Sequence, residues 1–455
     1  MSRLEDLFFK RLPLWVVGMI VVLLLGFSVL TGWGVFHIYN GGHRLDNATG
    51  DLLLSFVRTP QTLRKVFQGP EGDLASSEQR FDGESGFTYA YAPGERSDAP
   101  YLLLNRYDAE RKQSVSELID LNTQEKVHTW AVDVDPVWDT IDFKSKLTDL
   151  KRDVPTNRFR NAHTLLLQDG TIIFNPNGPL LKFDKSGSLV WVNDKWMFHH
   201  SIELDHDGNI WAPSRIEPST VAIGNVSSRI NPFLDDALTQ LSPDGNILFS
   251  KSVTHILDEN GLGHLVYGRG TDYSDPIHLN DIQPVLEDGE FWKKGDVFLS
   301  LRNQSMVLLY RPSTNKVLWY SLGPWRHEHD VDVISSHEIG VFNNNASTKR
   351  GSYSVDGNNQ YLTYDFRTKH FANPFKIGFE KLDIRTVTEG RGQPYPYGRL
   401  FVEESNYGRL VVFDKQGTVD WQFINRAKDG KVYMVNWSRL VSRSVGDAVR
   451  KLVNK

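Results

Sequence analysis

The chain contains no cysteine in its 455 residues. That excludes disulfides, thiol nucleophiles and thiolate metal sites. It leaves the compartment open, because a cysteine-free protein folds in oxidising and reducing surroundings alike. An excess of one charge sign is lacking as well: 51 Lys and Arg stand against 56 Asp and Glu, a net of −5. Composition therefore gives no basic surface for nucleic acid. What is abundant points elsewhere. Aromatic residues reach 12% and there are 36 glycines, a balance that favours many strands joined by tight turns.

Charge is missing altogether between Leu12 and Phe36, in LPLWVVGMIVVLLLGFSVLTGWGVF. At about 1.5 Å per residue such a run is long enough, as a helix, for a hydrocarbon core about 30 Å thick. Trp15 and Trp33 stand near its ends, as interfacial aromatics do. Arg3, Lys10 and Arg11 precede it, although Glu5 and Asp6 dilute that positive flank. The charge rule then keeps the N-terminus cytosolic and exports the rest as a single-pass membrane-anchored protein on the periplasmic or extracellular side. The run is long for a signal peptide and shows no convincing small-x-small cleavage site near its end.

The exported part repeats itself. LIDLNTQEKVHTW (118–130), KFDKSGSLVWV (182–192), QLSPDGNILFS (240–250), LYRPSTNKVLWY (309–320), TYDFRTKHFAN (363–373) and VFDKQGTVDWQF (412–423) each join two strands through a turn. Four of these close on tryptophan, at Trp130, Trp191, Trp319 and Trp421. One hairpin cannot bury both faces, so copies at this interval must pack on one another. The turns DHDGN and SPDGN lack the ligand spacing of calcium loops and read as hairpin turns. The expected fold class is all-β, a six-bladed β-propeller behind an N-terminal transmembrane helix. Its parts are a cytosolic N-terminus (1–11), an anchor (12–36), a connector with short helices (37–95), the propeller (96–445) and a C-terminal tail (446–455). The segment 430–442 is expected to add a strand to a blade built from the other end of the chain.

A second element precedes the central hairpins: NAHTLLLQDGTIIF, FHHSIELDHDGNIW, IHLNDIQPVLEDGEFW and HEHDVDVISSHEIGVF. In each, a histidine opens an alternating strand. Aligned on those strands, His163, His200, His278 and His329 share one repeat position. In a propeller, first strands line the central channel, so these four histidines should face one another there. A lone histidine at a strand mouth is usually a capping or packing residue; four in register form a candidate site.

The run HLNDIQPVLEDGEFWKKGDVFLSLRNQSMVLLYRPSTNKVLWYSLG, followed by HEHDVDVISSHEIGVFNNN, resembles the arylsulfotransferase family, in its broader and less characterised branch. The pattern is His-x-Asn, a strand ending in Ser-x-Arg, a Trp hairpin, then Gln-His-Asp and a strand ending in Phe-Asp-Asn. It is clearest over residues 160–345 and weaker to about 440. The resemblance implies a six-bladed propeller that moves a sulfuryl group from an aryl sulfate to a phenol, with no nucleotide sulfate donor, no metal and no cofactor. A central histidine carries the group as a covalent intermediate. His329 matches that nucleophile, His278 and Asn280 the His-x-Asn pair, and Arg302 the arginine, with His200 one blade earlier. His163 and Arg215 are expected to help bind substrate. Glu328 replaces the usual Gln, Asn343 stands where Asp is common, and APSR (212–215) departs from the usual strand ending. Glu328 is expected to put a negative charge beside a site meant for a sulfate ester.

The residue types suit the chemistry. A neutral imidazole is a nucleophile near pH 7 and a usable leaving group afterwards. Arg and His donors stabilise the charge that gathers on sulfuryl oxygens. A second histidine can take the proton of a phenol. Two other readings stay open: a non-catalytic envelope propeller that binds a ligand or protein partner in its pocket, and a quinone-dependent dehydrogenase suggested by the Trp-closed hairpins.

Overall fold

In the computed structural model, which describes residues 13–39, 74–76, 78, 80–221, 233–267, 274–349 and 352–454, the alternating segments are antiparallel strands. The chain divides into two units, residues 1–69 with 223–233 and residues 70–222 with 234–455. In the first, the charge-free run is a helix, Leu14–Tyr39, of 26 residues. Its segment Leu14–Phe36 has a mean hydropathy of 2.6 and is long and apolar enough to cross a membrane. The flanking Arg3, Lys10 and Arg11 and most of the expected connector lie outside the described residues.

The second unit is an all-β, propeller-like arrangement of antiparallel sheets. Three sheets have four strands each, built on Tyr101–Asp108, Leu279–Pro284 and His329–Val333. One long sheet runs from Ala162–Leu166 to Ile247–Ser252 and is continuous because Phe198 pairs with Ser214. A five-stranded sheet contains Arg391–Tyr395, and a two-stranded hairpin (Ala346–Lys349, Ser352–Val355) projects from the sheet that begins at His329. The strands Leu279–Pro284, His329–Val333 and Arg391–Tyr395 lie successively side by side, and Arg439–Val441 lies beside Ala162–Leu166.

The tryptophans that close the hairpins tie one repeat to the next. Trp130 donates its indole N–H to the Gly170 carbonyl and Trp191 donates to Pro243, each in the turn of the following repeat. Trp319 stacks on Tyr364 at 5.2 Å. Gly245 is fixed by this device. At φ 82° a Cβ there would stand 2.8 Å from the Trp191 ring, so only glycine satisfies both demands.

Both ends of the unit are pinned. The expected late strand is present: Arg439–Val441 pairs with Leu103, Leu102 and Tyr101. The structure adds a second closure that the connector reading missed, because Gly86–Tyr89 pairs with Trp421–Ile424 at the edge of the last sheet. The segment FTYAY alternates well enough for a strand; the turn-rich sequence before it hid this. The expected tail is largely a helix, Arg443–Val453, started by Ser442 accepting the Val445 N–H. Arg443 and Arg450 both pair with Asp120, and Gly446 lets the helix lie against Tyr101, which would meet a Cβ at 2.1 Å. A short helix, Lys376–Lys381, replaces the start of the expected strand element at 378–402. Phe375 and Phe379, four apart, bury together there.

Candidate functional site

Six residues at the mouths of the inner strands adopt the left-handed conformation: His163 (φ 51°), His200 (57°), His278 (52°), His327 (53°), Glu389 (58°) and Trp437 (54°). For a residue with a Cβ this costs on the order of 1–2 kcal/mol. Its recurrence marks a turn that the fold imposes on each inner strand. It also corrects the alignment of the histidines. His163, His200 and His278 share the position with His327, and His329 stands two residues deeper, level with Asn280. The reason lies in the ties between neighbouring strands. Asp281 accepts the N–H of Val331 and Asp330 accepts the N–H of Gly392, and these equivalent carboxylates set the register.

Despite that offset, three of the four histidines meet. The ring of His200 lies 5.2 Å from that of His278 and 6.2 Å from that of His329. Trp437 borders two of them, 6.0 Å from His200 and 5.9 Å from His329. His329 is buried and its Nδ1 donates to the carbonyls of His327 (3.1 Å) and Asn344 (2.7 Å). The Asn344 amide is oriented by its own N–H donation to the backbone carbonyls of Thr386 and Glu389. With its proton held on Nδ1, a neutral His329 carries its lone pair on Nε2. Burial, with the Arg302 guanidinium nearby, keeps its pKa well below the ordinary histidine value. It is therefore neutral at pH 7, as a nucleophile must be.

The other rings are held in related ways. His278 Nδ1 lies 2.6 Å from Asp275 Oδ2, so an imidazolium there would have a counter-charge at hand. His200 Nδ1 lies 2.8 Å from His199 Nδ1. Burial and the neighbouring His199 and His278 depress His200 well below the ordinary value. Arg302 opens a short 3-10 turn after Val297–Leu301. It donates to Asn303, and its guanidinium lies 4.8 Å from the centre of the Tyr353 ring on the projecting hairpin.

Three expected site residues stand differently. Asn280 donates its amide N–H to the Glu328 carbonyl (2.8 Å), so that group bridges two inner strands. Arg215 pairs with Asp236 at 3.2 Å. His163 is buried and also packs on Trp437, 5.4 Å between ring centres, but its nitrogens are occupied. Its Nδ1 accepts the Ile202 N–H, and its Nε2 lies 2.6 Å from Arg391 Nη1 and 3.3 Å from Glu203. Neither ring nitrogen is left for a substrate. Around it runs a belt in which Arg391 pairs with Asp330, Arg439 with Glu203, and Tyr361 donates to Asp332. Burial raises Asp281 to about 8 and lifts Asp332 well above the ordinary value, with Asp330 adding to both. Among the described residues no group of three or more acids and histidines is arranged to hold a metal.

Glu328 does not carry the expected charge. Its side chain is wholly buried, and burial pushes its pKa up to about 8, so at pH 7 it is mostly a neutral acid and stands close to the Gln it replaces. Sequence reasoning also passed over Asp275, Asn344, His199, Asp236 and Trp437. The doubled histidine of FHHS and the acid three residues before His278 were the available signals.

Residues 163–426 match the family model described as arylsulfotransferase (ASST). The chain belongs to the arylsulfotransferase family. The matched segment contains every histidine, asparagine and arginine of the site, while Trp437 lies beyond its end. Among curated proteins, 218 residues are 26% identical to the bifunctional protein GlmU of Aromatoleum aromaticum, covering 46% of each chain, so this chain spans about half the length of that relative. Among solved structures, a protein of unknown function from Bacteroides caccae matches 75% of this chain and 98% of its own, at 13% identity and a TM-score of 0.46. The Pan2 WD40 domain of Neurospora crassa matches 74% of this chain and 84% of its own, at 10% identity and a TM-score of 0.38.

Proposed function

We propose that the protein is a membrane-anchored, extracytoplasmic sulfotransferase that moves a sulfuryl group from an aryl sulfate to a phenol through a sulfohistidine at His329. The observation that carries this reading is the fixed tautomer of His329: Nδ1–H is committed to two carbonyl oxygens and Nε2 is left to attack. Family membership supports the aryl sulfate and phenol as donor and acceptor. Six blades are the reading of the sheets that fits the six left-handed strand mouths. The long sheet is then two blades fused through Phe198 and Ser214, and the five-stranded sheet is one blade with an added edge.

In the donor half, Nε2 of His329 attacks sulfur, the S–O bond breaks, and the phenolate departs with a proton from the site. In the acceptor half, a phenol gives up its proton, its oxygen attacks sulfur, and the N–S electron pair returns to His329. Arg302 and His278, backed by Asp275, hold the sulfuryl oxygens. His200, neutral with its Nδ1 against His199, serves as base to the phenol. Asn280 acts through the Glu328 carbonyl rather than on substrate. The apolar helix keeps the enzyme at the membrane, with the propeller outside.

The test is intact-mass measurement after incubation with 4-nitrophenyl sulfate. One added sulfuryl group is expected on the wild type and none on His329→Ala. A wild-type protein that acquires no mass from any aryl sulfate leaves a binding propeller as the better reading.

A further inference from the structure

We propose that Asp236, His199 and His200 form a proton relay in which Asp236 and His199 are positioning residues, and that the relay stores the acceptor's proton away from sulfur. It rests on the sulfotransfer reading and deepens it. Two imidazoles that meet through Nδ1 atoms at 2.8 Å share one hydrogen, so their tautomers are linked. Asp236 decides which way. Its Oδ1 lies 3.2 Å from His199 Nε2, an ion-pair distance without the alignment of a hydrogen bond, and the carboxylate is anchored by Arg215 on Oδ1 and by the Leu279 N–H on Oδ2. A buried carboxylate at that distance draws the proton to Nε2 by its charge. His199 Nδ1 is then an acceptor, His200 must donate from Nδ1, and the lone pair of His200 is on Nε2.

The groups that face this pair are Asp236, Arg215, His278 and His329. Among these groups Asp236 is the acid, and it stands at the His199 end. A proton reaching His200 Nε2 therefore moves on: His200 passes its Nδ1 hydrogen to His199 Nδ1, and the positive charge comes to rest beside Asp236. The O–H bond of the phenol breaks, an N–H bond forms at His200 Nε2, and the oxygen's electron pair attacks sulfur. The reverse transfer returns the proton to the next departing phenolate, so the cycle balances with no other reactant. Charge held at His199 also keeps His200 from adding to the positive charge near His278 and Arg302.

His199→Asn separates the two roles of that residue. An amide oxygen can accept from His200 Nδ1 and preserve its orientation, but it cannot take up a proton. Sulfuryl-enzyme prepared with 4-nitrophenyl sulfate is to be mixed with phenol or with 4-cyanophenol, at a pH where only the second is ionised. Transfer to phenol should slow about 10²-fold, the size of a general-base contribution, and transfer to 4-cyanophenolate far less. Equal slowing of both acceptors, or of neither, overturns the relay while His329 labelling still upholds the sulfotransfer reading. Should the variant not fold, or the wild type not label, nitrogen NMR of labelled histidine in the wild type decides. A proton on Nε2 of His199 and on Nδ1 of His200 supports the relay, and the reverse tautomers overturn it.

Discussion

The inner strands carry two polar regions built from the same repeat. In one, His200, His278 and His329 approach one another and each commits only Nδ1 to the protein. In the other, His163, Glu203, Asp281, Asp330, Asp332, Arg391 and Arg439 are committed to one another and to backbone N–H groups. The difference teaches what distinguishes a site from a belt. Buried charge is costly and is normally paired until nothing is left over. Where one nitrogen of a ring is held and the other is not, the fold has spent its bonds on orientation.

The sharpest way to break the comparison is to exchange one member of each region. His329→Ala should abolish sulfuryl labelling entirely and leave the urea midpoint of the propeller close to the wild type, since the side chain gives its bonds to orientation. Arg391→Ala should do the opposite. It leaves Asp330 buried without its cation, a loss of roughly 3–5 kcal/mol, and protein that still folds should still label. A belt variant that folds fully but no longer labels would move the belt into the site.

Arg302→Lys sharpens the comparison with a smaller effect. Lysine keeps the charge and loses the planar fork that grips two oxygens, so transfer should slow by about 10²–10³-fold with little change in stability. An unchanged rate would mean that Arg302, under Tyr353, serves only as a point charge.

Much of this was legible beforehand. Trp130, Trp191 and Trp319 announced the repeat because each must be covered by a neighbouring copy, and residues 160–345 carried the family pattern. That His329, His278 and His200 come together could be anticipated because all three stand at inner-strand mouths. The exchange of His327 for His329 in the repeat position was not legible, because the left-handed turn at the mouths uses histidine, glutamate and tryptophan rather than glycine. His163 looked equal to the others for the same reason. Only Arg391 and Glu203, more than thirty residues away along the chain, show that its nitrogens are taken. The strand Gly86–Tyr89 was hidden because its partner, Val419–Ile424, lies at the far end of the sequence.

The smallest predicted effect belongs to Glu328, which borders both regions. Its pKa rises from 4.5 in the free residue to about 8 in the fold, chiefly through burial. The folded chain therefore keeps a proton that the unfolded chain has lost, and this contribution to stability is fully present below 4.5 and falls away as pH rises to about 8. Asp281, also raised to about 8 by burial and by Asp330, slopes the same way from its own lower starting value. Glu328→Gln removes one of these raised acids. Its urea midpoint should match the wild type near pH 4 and exceed it at pH 8, with sulfuryl labelling little changed at pH 6. Above pH 8 the wild type should lose labelling as a carboxylate forms beside His329, and the variant should not. Parallel midpoint and labelling curves for the two proteins would mean that Glu328 is ionised in the fold, and that the site tolerates a charge next to its nucleophile.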